Sequence, residues 1–387
     1  MKKILIPTMS LLSLGAFAQE DLQGQINQLK AELEQLKMSR TMEVAAPSTN
    51  EQSSLQKKFN FFFNFQSSFD VVSDENDKLF ANFRARQLRL EVRGDITDRI
   101  FYRFRHRLNK PTAATSLDNL AKATDMLYAG FRLSDKWAVT IGKMCQAWGG
   151  FEFDLNPMNI YEYSDFIENM DNFMLGGMVT FAPNVNHEFN LQITDVRNDS
   201  FKTLYGTPVD INASKAPLTY IFNWNGNLFK GLLQTRYAVG LQSEAEGYNN
   251  TMLTLGNKLN FSKVQVFVDY MRADEQLDRL KYTPLSATNP TLKDVTYNTF
   301  VLKGEYQPIP KLNIFAQGLY ETAENNELNN KMIGLGYFTG VEYIPFSDQD
   351  LRFFLAYVGR SRENKQTNIT NNTNRVSIGM MYRIKAF

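Results

Sequence analysis

The chain has 387 residues, 43% of them hydrophobic, with 42 Lys and Arg against 41 Asp and Glu and a formal net charge of +1. That balance lacks the basic excess of a general nucleic-acid binder, so no nucleic-acid partner is expected. The single cysteine, Cys145, excludes an intramolecular disulfide.

The N-terminus reads as an export signal over residues 1–18. Lys2 and Lys3 precede a mostly apolar run, and Ala16 and Ala18 flank Phe17 as the small residues before a cleavage point. No cysteine stands just after that point, so a lipid anchor is not expected. Loss of Lys2 and Lys3 leaves 40 basic against 41 acidic residues, a mature charge of about −1. Beyond the signal no apolar run reaches the length of about 18 residues that a transmembrane helix needs. A membrane protein built without such helices must be a closed barrel, because lipid cannot satisfy an open sheet edge.

Residues 19–40 carry a heptad seam of Leu22, Ile26, Leu29, Leu33 and Leu36, with Glu32 and Lys37 placed to pair across a parallel interface. A coiled-coil helix this short is marginal alone and needs several chains side by side. Residues 41–58 shift to Ala, Pro, Ser, Thr and Asn, the composition of a linker.

From residue 59 to 387 the period becomes two. Phe59, Phe61, Phe63 and Phe65 share one face, and Asn60, Asn64, Gln66 and Ser68 share the other, with Phe62 the exception. The same alternation recurs through Val264, Val266, Val268 and Tyr270 and on to Val376, Ile378, Met380, Tyr382 and Ile384. Short turns near 95–98, 134–136, 183–186, 225–227, 308–310 and 345–348 alternate with longer stretches at 110–124, 146–171, 198–215, 274–295 and 363–372. The reading is an all-β, transmembrane antiparallel β-barrel of roughly 16 strands, with short periplasmic turns and long external loops. A secreted β-sandwich would alternate similarly, but its aromatic faces would need a second sheet at every strand.

Charge in the first strands is concentrated in arginine. Arg103, Arg105 and Arg107 share a face, and charge is disfavoured towards lipid, so these side chains are expected to line the channel. Arg84 and Arg86 are out of phase with Arg89 and Arg93; a β-bulge near Gln87 would turn all four inward. A wall of guanidinium groups attracts anions; the alternative is a wall neutralised by carboxylates on neighbouring strands or loops. The stretch 146–171 contains no Lys or Arg but holds Glu152, Asp154, Glu162, Asp165, Glu168 and Asp171. Folded into the lumen, these acids would face the arginines and set up a transverse field at a constriction; otherwise the stretch is an external loop with solvated charges. Neither His106 nor His187 is placed for a triad or a metal cluster, and no nucleotide-binding fingerprint occurs, so no enzyme activity and no cofactor are expected.

The arginine-rich strands at 81–108, the segment Asp125 to Phe131 and the segment Trp137 to Lys143 before a long third loop resemble the phosphate-selective porin O and P family. The resemblance implies a sixteen-stranded homotrimeric channel in outer-membrane lipid, passing small anionic or polar solutes along an arginine ladder that includes Arg84, Arg86, Arg103, Arg105 and Arg107. That family's lysine-rich binding zone has no recognisable counterpart here. A closed barrel acting as an adhesin or structural anchor is the alternative. The resemblance also makes Phe387 a terminal signal for barrel insertion, although its parity differs from that of Val376 to Ile384.

Overall fold

The computed structural model describes residues 58–76, 78–208, 210–281, 293–325 and 328–386. The signal, the heptad segment, all but the end of the linker and Phe387 lie outside the described residues. The first quarter of the barrel comprises β1 (Asn60–Ser73), β2 (Leu79–Asp95), β3 (Ile100–Arg107) and β4 (Thr124–Arg132). Then follow β5 (Trp137–Cys145), β6 (Phe173–Asn184), β7 (His187–Asp195), β8 (Leu218–Leu228), β9 (Leu233–Ala245) and β10 (Tyr248–Asn260). The circuit is completed by β11 (Val264–Leu277), β12 (Lys293–Ile309), β13 (Leu312–Asn325), β14 (Asn330–Tyr343), β15 (Asp350–Asn364) and β16 (Ile369–Lys385). Each strand pairs antiparallel with its neighbours in sequence, and β1 pairs with β16, so the sheet closes with no free edge.

The period-two pattern dictates which face is which. In β1, Phe62, Asn64, Gln66, Ser68 and Asp70 are buried inside the barrel, while the alternate residues face out. The outer face is a continuous apolar band including Leu191, Phe222, Leu241, Val268, Leu302 and Ile378, all exposed. Such a surface is unfavourable in water at about 25 cal/mol per Å² and is stabilised by hydrocarbon. At the short-turn end of β5 to β9 the band finishes in aromatic rings. Trp137 stacks on Phe181 at 4.4 Å, His187 stacks on Trp224 at 5.9 Å, and Trp224 Nε1 donates to His187 Nδ1 at 3.2 Å. His187 is therefore part of an interfacial aromatic girdle.

Some turns fall elsewhere than the sequence pattern predicts. Asn225 and Asn227 lie inside β8; the reversal occurs at Phe229–Gly231, with φ of 51°, 58° and 91° at Phe229, Lys230 and Gly231. The stretch 363–372 is mostly strand, with Glu363 paired to Thr370 and Ser361 to Asn372. Its Asn and Thr residues suggest a loop, but above the bilayer both faces of a ladder meet water, so polar residues no longer mark its end. Residues 246–247 make a tight turn, with Gly247 at φ 78°, so the external connections are not uniformly long.

Candidate functional site

Two β-bulges build one wall of the lumen. Gln66 pairs with Gln87 and Ser67 with Ala85, leaving Arg86 as the extra residue in β2. This phase change puts Arg84 opposite inward-facing Ser68, and Arg89 and Arg93 opposite Asn64 and Asn60. Arg86 also turns inward, with Nη2 2.5 Å from Asp70 Oδ2. In the next pair of strands, Arg93, Glu91 and Arg89 stand opposite Arg103, Arg105 and Arg107. The second bulge is at Asp125, skipped between the pairs Arg105 to Met126 and His106 to Thr124. Each bulge re-aims a charged side chain into the lumen.

The wall is held by carboxylates that the sequence reading did not single out. Asp125, fully buried, lies 3.4 Å from Arg89, 3.1 Å from Arg105 and 3.0 Å from Arg107. Glu91, also fully buried, lies 3.3 Å from Arg93, 3.1 Å from Arg103 and 4.0 Å from Arg383. Glu91 shares the inward parity of Arg89 and Arg93 once the bulge is placed, so that alternation is the signal that marks it. Phe62, the apolar exception in β1, lies between two guanidiniums, with Arg93 at 4.6 Å and Arg383 at 4.3 Å from its ring. Altogether Arg84, Arg86, Arg89, Arg93, Arg103, Arg105, Arg107 and Arg383 face three carboxylates, a surplus of five positive charges. The wall is both salt-bridged and strongly basic.

The stretch 146–172 folds inward and runs along the inner surface of the barrel. Gln146 donates to Thr194 at 2.8 Å and Ala147 N to Gln192 at 2.7 Å, both on β7. Trp148 then covers Gly240 on β9, where a Cβ would come within 2.4 Å of the indole. The backbone N–H groups of Phe151 and Glu152, beginning a helical turn over Phe151–Asp154, donate to Asp269 on β11 at 2.9 and 2.8 Å. Farther along, Tyr161 stacks on Phe315 at 4.6 Å and donates to Glu342 at 2.8 Å. A second helical turn, Asp165–Glu168, starts with the N–H groups of Asp165 and Phe166 on Glu321, at 3.1 and 3.0 Å. Trp148, Phe151, Met158, Tyr161, Phe166, Ile167 and Met170 are buried in a cluster with inward residues of β8 to β16.

This docking changes the role expected for the loop acids. Asp154 pairs with Arg236 on β9, Glu162 with Arg375 on β16 at 2.8 Å, and Asp165 with Arg360 and Arg362 on β15, Arg362 at 2.7 Å. These three acids are engaged by arginines on β9, β15 and β16 and do not pair with the β2–β3 ladder. The reason lies in the apolar face of the loop, which packs on the larger wall and carries its carboxylates there. Burial raises the Asp165 carboxyl, but the hydrogen bonds from Arg362 and the charge of Arg360 outweigh it and leave the group below its ordinary value. Glu152 is buried against Ser164, whose N–H donates at 2.6 Å, and burial pushes its carboxyl up to about 8. Burial and the charge of Glu162 push the Glu168 carboxyl up, opposed by Lys110 and by Arg107 of the basic wall. Among the described residues Asp171 makes no ion pair, but its charge acts on buried Arg279. Arg236, Arg360, Arg362 and Arg375 were legible only as inward-parity arginines, with nothing local to connect them to a loop between about eighty and two hundred residues earlier.

A family model described as phosphate-selective porin O and P matches residues 59–384. The chain belongs to this family. It is an outer-membrane diffusion channel. The porin is similar in fold to the outer membrane channel DcaP of Acinetobacter baumannii, with a TM-score of 0.62 at 10% identity over 88% of this chain and 100% of that one. It is likewise similar to an anion-selective porin from Comamonas acidovorans, with a TM-score of 0.58 at 10% identity over 84% of this chain and 99% of that one. OmpT of Vibrio cholerae aligns with a TM-score of 0.54 at 13% identity over 84% and 97% of the two chains. No curated protein matches the chain in sequence.

Proposed function

We propose that the porin passes small hydrophilic solutes with a preference for anions, drawn along the arginine wall of β2 and β3. The observation that carries this reading is the excess of guanidinium over carboxylate on one side of the lumen, with Arg107, Arg103 and Arg93 retaining 27%, 20% and 15% side-chain exposure. Paired arginines with accessible faces still present a positive potential to the water they touch. The loop at 146–172 narrows the lumen, with Asp154, Glu162 and Asp165 neutralised by arginines on β9, β15 and β16. Phosphate is one anion such a wall accommodates through bidentate hydrogen bonding.

The chain is exported by the signal at 1–18, and three copies assemble in outer-membrane lipid. A trimer gives the short heptad of Leu22 to Leu36 the partners it needs. The transport involves no cofactor and no covalent step. The deciding measurement is the reversal potential of the purified protein in a planar bilayer under a tenfold KCl gradient, followed by phosphate addition. An anion-leaning potential is expected, with current steps arriving in threes; a cation-leaning potential overturns the reading.

A further inference from the structure

The connection from β7 to β8 is closed at its base, where Val196 N donates to Pro217 O at 3.1 Å. Its body folds inward at the external end of the lumen through one helical turn, Phe201–Tyr205, started by Ser200, whose hydroxyl accepts from Thr203 N at 3.1 Å. Tyr205, 1% exposed, donates to Glu244 on β9 at 2.6 Å, and Arg197 donates to the Glu244 carbonyl at 3.3 Å. Glu244 has the inward parity of Gly240, which Trp148 covers from inside the barrel. Just beyond β11, Lys281 donates to the Leu204 carbonyl and lies 5.8 Å from the Tyr205 ring. The chain leaves the helical turn at Gly206, with φ 71°, and Ala213 then makes a single antiparallel bridge to Ala245.

Two observations separate this seat from the docking of 146–172. Its apolar contact is small: Tyr205, Ile211, Ala245 and Leu277 form a buried cluster of their own, apart from the large one that holds the inward loop. The remainder is charge, and it is incompletely matched. Arg279 lies 3.4 Å from Glu275, yet among the described residues Glu244 Oε2, Arg197 Nε and Arg279 Nε and Nη1 are buried without a hydrogen-bond partner. Closure therefore buries four side chains and strands four polar atoms that water reaches once the loop lifts, opposing effects of the same order. An element balanced in this way has two accessible positions. The charge of Asp171, at the end of the constriction loop, acts on Arg279, so the seat adjoins the narrow part of the lumen.

We propose that the body of the β7–β8 loop is a lid on the external mouth of the channel, latched at Glu244, that lifts and reseats while the barrel stays intact. The Ala213 to Ala245 bridge supplies the means to lock it, because facing residues of an antiparallel pair lie within disulfide reach. The test records single-channel currents from the full chain carrying Ala213→Cys and Ala245→Cys, with Cys145→Ser to leave no third thiol. Oxidised channels are expected to stay at the lower of two conductance levels, and dithiothreitol to restore transitions to the upper one. Tyr205→Phe removes one hydroxyl and no charge, and should raise the ratio of upper to lower level about fivefold without moving the reversal potential. Cysteines that do not join in folded, conducting protein place the loop elsewhere and overturn the lid, as does a disulfide that leaves the transitions unchanged or a ratio unmoved by Tyr205→Phe. Anion selectivity without lockable transitions removes the lid alone. Lockable transitions in a cation-leaning channel keep the lid and remove the anion reading.

Discussion

Changing Glu91 and Arg103 separately to Gln should move selectivity in opposite directions. Glu91 lies within 3.3, 3.1 and 4.0 Å of Arg93, Arg103 and Arg383, and its side chain is fully buried. Glu91→Gln keeps the shape and removes one negative charge from the wall, and Arg103→Gln removes one positive charge from the same cluster. A unit charge about 4 Å from a permeating ion in water contributes about 1 kcal/mol, roughly a fivefold change in the ion's local concentration. The anion-to-cation permeability ratio should therefore rise up to about fivefold in Glu91→Gln and fall by a similar factor in Arg103→Gln. Both shifts should shrink as salt rises from 0.1 to 1 M and the Debye length contracts from about 10 to about 3 Å. Stability should separate the two as well. Glu91→Gln keeps an amide oxygen but takes the shared negative charge from three guanidiniums, a loss of about 3–5 kcal/mol by analogy with other broken buried pairs. Arg103→Gln leaves Glu91 with Arg93 and Arg383, and should cost about 1–2 kcal/mol. Reversal potentials in planar bilayers and denaturant midpoints after refolding read both quantities. If folded, conducting variants shift selectivity in the same direction, or not at all, the wall is structural only and the electrostatic reasoning fails.

Three further changes address the inward loop. Asp165→Asn should take from Arg360 and Arg362 the charge they share, while Arg360 keeps Glu321 at 3.0 Å, destabilising loop docking by about 1–3 kcal/mol, with single-channel current noise as the readout; quiet currents would show that the apolar cluster alone holds the loop. Glu152 has a folded-state pKa near 8 against an ordinary value of 4.5, so the folded protein binds more protons between those values and its contribution is fully present below about 4.5. That contribution is lost as pH rises through about 8, by up to about 1.4 kcal/mol per pH unit. Denaturant midpoints measured from pH 5 to 9 should fall in the parent and flatten in Glu152→Gln; equal slopes would contradict the assignment. Asp165, shifted the other way, contributes above about 3.8 and loses its contribution only as pH falls through its depressed value. Gly240→Val should push Trp148 off β9 and cost about 1–3 kcal/mol of stability, because even a bare Cβ would sit 2.4 Å from the indole; an unchanged midpoint and unchanged conductance would mean the loop repacks freely.

Much of the barrel was legible because lipid on one face and water on the other impose a two-residue period that a single strand reveals. The bulge in β2 could be anticipated from Arg84 and Arg86 falling out of phase, since charge on the lipid face is prohibitive. The bulge at Asp125 left no such trace, because Asp125 lies at a strand start next to a loop, where polarity has no strong preference. Turn positions failed where the bilayer stops selecting, as at 363–372, or where a Phe-Lys-Gly turn looks less like a turn than the Asn-Gly-Asn just before it.

What the sequence by itself determined is the set of local facts: a closed antiparallel barrel, its inward and outward faces, a basic cluster on β2 and β3 and an acidic, aromatic stretch after β5. Which charges neutralise which was decided only by the tertiary structure. Asp165 meets Arg360 and Arg362, and Glu162 meets Arg375, across some two hundred residues of chain. Strand periodicity is fixed by each residue's own solvent, and can be read position by position. Pairing across a lumen depends on barrel closure and on where an apolar loop finds its packing surface, and neither is written in any short stretch of sequence.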